Sequence, residues 1–242
     1  MNGAAQIDED ETGEKAGLAA VYPAFTWLNP EYMSSIDASS LAYGQLTSFV
    51  QISSAYVSLE KAELTEAMAA GLLKSMLDHL GAALNDPADQ EARGNLMLAS
   101  AAGMTGVTSF GKTGDWTLMP LTGMMQTFLG IPYTKALTIL FPHFLKEIYN
   151  GDRIFQAYFR DVLGTETAGK NDDEILTAGL DDLWAMYRRF GVAVDFSELT
   201  GRQANADDLQ PVIEAMGEMP SQYGSFTAAR IMKIVRDAIG TV

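Results

Sequence analysis

Cysteine is absent from this 242-residue chain, which excludes disulfides, thiolate metal sites and a cysteine nucleophile. Histidine occurs twice, at His79 and His143, with no second histidine at helical spacing from either. A zinc or iron centre built on imidazoles therefore lacks its ligands. With no G-x-S-x-G run, a hydrolase triad has no support either. Basic residues are scarce: 16 Lys and Arg stand against 31 Asp and Glu, for a net charge of −15. Nucleic acids and anionic membranes are both gripped by cations, so neither is expected as a partner. The acidity reads as solubility. Long apolar runs are also missing. The best candidate, 136–145, contains Pro142 and His143 and falls short of the roughly 20 residues a membrane helix needs. Residues 1–20 are acidic where a signal peptide would be basic, so a cytoplasmic protein is expected.

What remains is a chain whose hydrophobic residues, 48% of the total, are arranged almost entirely at helical spacing. Residues 1–20, with Asp8, Glu9, Asp10 and Glu11 in one run, read as an acidic flexible tail. Residues 21–28 (VYPAFTWL) are short, aromatic and β-prone, and predict one strand at a sheet edge because Pro23 cannot donate to a ladder. Helices are expected thereafter at about 37–58, 59–84, 88–109, from 117 and from 134, and at 152–163, 172–190, 206–219 and 225–239. Asp37, Asn171 and Ser225 are the candidate caps. In 59–84, Leu64, Met68, Leu72, Met76, Leu80 and Leu84 form an apolar stripe. The fold class is all-α: eight or nine helices over 21–242, preceded by one short strand.

No cofactor motif accompanies this pattern. The glycines of 103–114 (GMTGVTSFGKTG) follow neither the P-loop nor the dinucleotide spacing, and read as an interhelix loop. Met104, Met119, Met124 and Met125 read as packing.

Residues 114–142 (GDWTLMPLTGMMQTFLGIPYTKALTILFP) combine a helix start, an apolar helix, a Gly-Ile-Pro turn and a second apolar run. With Asn29-Pro30-Glu31 and the Arg93-x-Asn95-x-Met97 pattern, this stretch resembles the C-terminal helical domain of iron-containing alcohol dehydrogenases, nearest their butanol dehydrogenase and NADPH-dependent aldehyde reductase branch. The resemblance implies an all-helical domain running from about residue 21 to the end. It also implies four metal-ligand positions, an Asp and a His four residues apart on one helix and two later histidines. Those positions carry Thr47, Gln51, Met119 and Tyr133 here, and the family's extra His falls at Gly123. The nucleotide-binding half of the family is not in this sequence.

The expectation is therefore a domain with no metal, no cofactor and no metal-dependent dehydrogenase activity, acting as a structural or interaction subunit. Phe25 and Trp27 would dock a protein partner, a second copy or a homologous dehydrogenase; alternatively, that strand folds back on its own helices. A further alternative places a small molecule or altered chemistry in the former metal pocket, with Thr47, Gln51 and Tyr133 as hydrogen-bonding groups beside Met119, Gly123, Met124 and Phe128. A third makes the chain half of a split oxidoreductase, completed by a separate nucleotide-binding chain.

Overall fold

A computed structural model describes residues 4–8, 15–19 and 23–239, the first two for their backbone alone. Ten helices make up the described fold: α1 (Ala38–Tyr56), α2 (Glu63–Asn85), α3 (Gln90–Met104), α4 (Leu118–Leu129), α5 (Tyr133–Ile148), α6 (Arg153–Tyr158), α7 (Asp172–Arg189), α8 (Phe196–Thr200), α9 (Gln210–Met216) and α10 (Ala228–Ile239). The all-α class is what the periodicity predicts.

The starts of the helices follow the capping chemistry. Asp37 accepts from the Ser40 N–H at 2.9 Å to open α1. Asn171 and Glu174 form a reciprocal capping box on α7. Ser225 does not cap α10; the Thr227 hydroxyl accepts from Arg230 N instead. One core is shared by α1, α2, α4, α5, α7 and α10, with Leu46, Phe49, Leu73, Phe141, Leu183 and Ile231 fully buried. Helix α5 keeps Pro142 inside it, buried among core residues.

Two expectations about the N-terminal region need correction. Residues 4–8 and 15–19, read as flexible tail, form an antiparallel hairpin, β1 (Ala4–Asp8) with β2 (Lys15–Ala19), Ala4 facing Ala19. The expected strand at 21–28 is not one: residues 23–29 have no ladder partner, and Val21 and Tyr22 lie outside the described residues. Pro23 takes one donor from this segment, and the only described sheet is the hairpin.

The α2 stripe also differs from its reading. Leu64 is exposed, whereas Leu73, Met76 and Leu80 are buried. A strict four-residue spacing advances about 40° per step around a helix of 3.6 residues per turn, so the first leucine drifts off the buried face. No described helix is long and apolar enough to cross a membrane.

Candidate functional site

The site is assembled where α1, the start of α4 and the start of α5 meet. The turn before α4 is fixed by Asp115, which is buried. Its Oδ1 accepts from the Thr117 N–H at 2.9 Å, its Oδ2 accepts from the Ser221 hydroxyl, and its own N–H donates to Ser54 O of α1 at 3.4 Å. The helix end therefore rests on a buried carboxylate, a favourable sign at the positive end of the helix dipole. Gly114, with φ of 71°, makes the turn that brings Trp116 over α1. After α4, Gly130 ends the helix in the left-handed region and Ile131-Pro132 leads into Tyr133, the first residue of α5.

This geometry brings together three of the four positions that the sequence marks. The Tyr133 hydroxyl donates to the Met119 sulfur at 2.7 Å, tying α5 to α4. Burial raises the Tyr133 pKa, while a hydrogen bond with the Gln51 side chain works the other way. The fourth residue, Thr47, turns away: its hydroxyl donates to Tyr43 O of its own helix at 2.8 Å. Beside the trio lies a cavity of about 380 Å³ whose walls include Gln51, Ile52, Met104, Trp116 and Met119. Thr47, Gly123, Met124, Phe128 and Tyr133 do not line it. Met124 belongs to the core and Phe128 is exposed. A Cβ added at Gly123 would meet no atom within 4 Å.

The donor set does not fit a divalent iron or zinc ion. It holds a hydroxyl already committed to its backbone, a neutral amide, a thioether and a phenol whose pKa is raised, with no carboxylate or imidazole among them. Iron and zinc sites rely on imidazole, carboxylate or thiolate to offset the loss of hydration. No group of three or more His, Cys, Asp or Glu able to hold a metal occurs among the described residues. The histidines are placed elsewhere. His79 Nδ1 is hydrogen-bonded to Ser75 O at 2.7 Å. His143 lies against Trp184, and burial pulls its pKa down to about 4. Glu147, one turn beyond His143, is held by Arg230 and Lys233.

Sequence reasoning missed the most constrained group in the glycine-rich segment. Lys112 is buried, and its ammonium donates to the carbonyls of Tyr56, Ser58 and Glu60 at 3.0, 3.1 and 2.8 Å, past the end of α1. It also lies 3.4 Å from the Glu66 carboxylate, which Arg153 meets at 3.1 Å. A cation placed against helix C-terminal carbonyls was the available signal. Nothing local says that three carbonyls some fifty residues away converge on it.

The segment 23–29 presents Phe25 and Trp27 at 84% and 79% exposure. They are not folded back onto the helices. Tyr32, Phe110, Trp116 and Phe128 are also exposed.

Set against known proteins, this arrangement of helices matches one part of several larger solved structures. The crystal structure of Escherichia coli K-12 YqhD superposes with a TM-score of 0.89 at 22% identity, covering 98% of this chain and 62% of that one. The NADH-dependent butanol dehydrogenase A of Thermotoga maritima gives 0.88 at 20% identity, with 99% and 63% covered. The model of the Fe-containing alcohol dehydrogenase family, C-terminal, matches residues 41–239, and the chain belongs to that family. Among curated relatives, the probable NADH-dependent butanol dehydrogenase 1 of Bacillus subtilis is 24% identical over 99% of this chain. The NADH-dependent butanol dehydrogenase B of Clostridium acetobutylicum is 31% identical over 63% of it. The chain spans 62% and 40% of the lengths of these two relatives.

Proposed function

We propose that this domain does not carry out metal-dependent alcohol or aldehyde chemistry, binds no cofactor of its own, and serves as a structural or interaction subunit in a cytoplasmic setting. The observation that carries the reading is the Tyr133–Met119 hydrogen bond in the place where the family resemblance puts two metal-binding histidines. An interaction role is supported by the exposure of Phe25 and Trp27, large apolar groups that free surfaces seldom present together. The partner that fits is a protein surface with apolar pockets, such as a second copy or a homologous dehydrogenase. A metal-content measurement tests the core of the proposal. Protein produced with added iron and zinc should carry far less than one metal per chain. A near-stoichiometric metal that is lost in Gln51→Ala and Tyr133→Phe would overturn it.

A second reading, a small-molecule binding domain, is supported by the cavity beside Gln51 and Met119. At about 380 Å³ it falls within the range of ligand sites in general.

A further inference from the structure

Resting on that second reading, we infer that the cavity between α1, the end of α3 and Trp116 takes a neutral aromatic molecule of one or two fused rings with a single hydrogen-bonding group.

Size comes first. A cavity of about 150 Å³ lined by apolar side chains is known to hold benzene. The volume here, about 380 Å³, accommodates a bicyclic ring system with room for a substituent.

Charge comes next. Not one ionisable side chain lines the cavity, although the chain as a whole is strongly charged. Its polar walls come from Gln51, Thr108 and Ser109. A carboxylate, phosphate or ammonium entering it would lose hydration without meeting an opposite charge. Lys112, the buried cation three residues beyond Ser109 in the chain, is already committed to three carbonyls and Glu66.

The walls then favour an aromatic body. Trp116, Met104 and Met119 are among the lining residues. Sulfur contacts with ring edges, and offset ring stacking, are each favourable beyond the area they bury.

A polar anchor is also present. The Gln51 amide carries two donors and an acceptor, so its contact with Tyr133 leaves hydrogen-bonding capacity for a ligand N–H or O–H. Met119 is among the lining residues, and its sulfur takes the Tyr133 hydrogen bond. Ligand occupancy and the α4–α5 contact therefore meet at one residue, Met119.

The test is a titration of full-length protein carrying isotope-labelled methionine methyl groups, followed by NMR. The probes are indole, an indole carboxylate and cyclohexanol, with Ser109→Trp as a variant that fills the cavity from a half-exposed position. Indole should shift the Met104 and Met119 methyl signals saturably, leave those of Met68 and Met216 unmoved, and bind at least about tenfold more tightly than the carboxylate. Ser109→Trp should abolish the indole shifts while its thermal unfolding stays that of the parent. Saturable shifts with the carboxylate or cyclohexanol, equal to or stronger than those with indole, would overturn the ligand class and leave the binding reading standing. Absence of shifts with every probe up to about 1 mM would remove both. Indole shifts that persist undiminished in Ser109→Trp would place binding elsewhere and overturn the assignment to this cavity.

Discussion

Two of the contacts that fasten helix α1 to the rest of the molecule are opposite in chemistry. Past its C-terminal end, the buried Lys112 ammonium gathers three carbonyls and the Glu66 carboxylate, which Arg153 completes from α6. Near its middle, Gln51 meets Tyr133, and Tyr133 meets Met119, without a single charge. In the first place the ammonium supplies donors to carbonyls at and beyond the helix end, where the helix itself provides none. In the second place the family resemblance puts a cation and its anionic and imidazole ligands, and this chain has neutral groups. Buried charge stands where backbone carbonyls converge, and neutral groups stand where the resemblance places metal ligands.

The largest effect should follow from breaking the charged contact. Lys112→Met leaves Glu66 with Arg153 and the Ala62 N–H alone and takes the ammonium donor from the carbonyls of Tyr56, Ser58 and Glu60, and removing one member of a buried ion pair costs about 3–5 kcal/mol. For a chain of this size that lowers Tm by on the order of 10 °C. Thermal and denaturant unfolding would measure it. A parent-like curve would mean that the cluster is dispensable.

The neutral contact should matter less. Met119 is only partly buried, so Met119→Ala is expected at the low end of core truncations, about 2 kcal/mol. Met119→His should also destabilise, since an imidazole would arrive with no carboxylate or metal to receive it. If Met119→His proved as stable as the parent without metal, the site would be more open to water than the Tyr133–Met119 contact implies.

Acid sharpens the contrast further. Burial works to raise the Glu66 pKa, but the Ala62 N–H, Arg153 and Lys112 outweigh it, and the net shift is downward from 4.5. The unfolded chain then binds the proton more readily, so the stability that Glu66 confers is present above about 4.5 and lost as pH falls through the lowered value. Glu66→Gln should flatten the fall in stability below that pH, whereas Tyr133→Phe should lower stability by about 0.5–1.5 kcal/mol at every acidic pH. Denaturant melts between neutral pH and acid would show it, and parallel curves for Glu66→Gln and the parent would contradict it.

The smallest effect on stability is expected from the exposed aromatics. Phe25→Ser combined with Trp27→Ser removes two side chains that touch little of the domain, so unfolding should be unchanged. Association, read by sedimentation, should weaken or disappear if these residues dock a partner. Unchanged association alongside a lowered Tm would mean instead that they pack onto their own chain.

The sequence made most of this architecture readable, and the failures have physical causes. Caps at Asp37 and Asn171 and the periodicity of α2 and α7 are local properties, so they were legible. Leu64 misled because a four-residue repeat does not match the helical period. Aromatic composition at 21–28 suggested a strand, but a strand needs a partner, and composition does not supply one. Short α8, held by Asp195 accepting from Glu198 N, is too brief for periodicity to reveal. At the site, i, i+4 spacing placed Thr47 and Gln51 on one helix face, yet only Gln51 reaches Tyr133. The Thr47 hydroxyl is short enough to bond its own helix at Tyr43 O, a choice that spacing does not encode. Buried Lys112 was invisible because its partners come from distant parts of the chain.

The account turns on whether the meeting point of α1, α4 and α5 is a neutral contact or a metal site. A crystal structure of the protein grown with zinc and iron, with anomalous scattering recorded at each metal's absorption edge, tests this most directly. The account predicts no anomalous peak there, with the Tyr133 hydroxyl against the Met119 sulfur. A peak within about 2.0–2.3 Å of donor atoms on Gln51, Met119 or Tyr133, the range of zinc–ligand bonds, would contradict it.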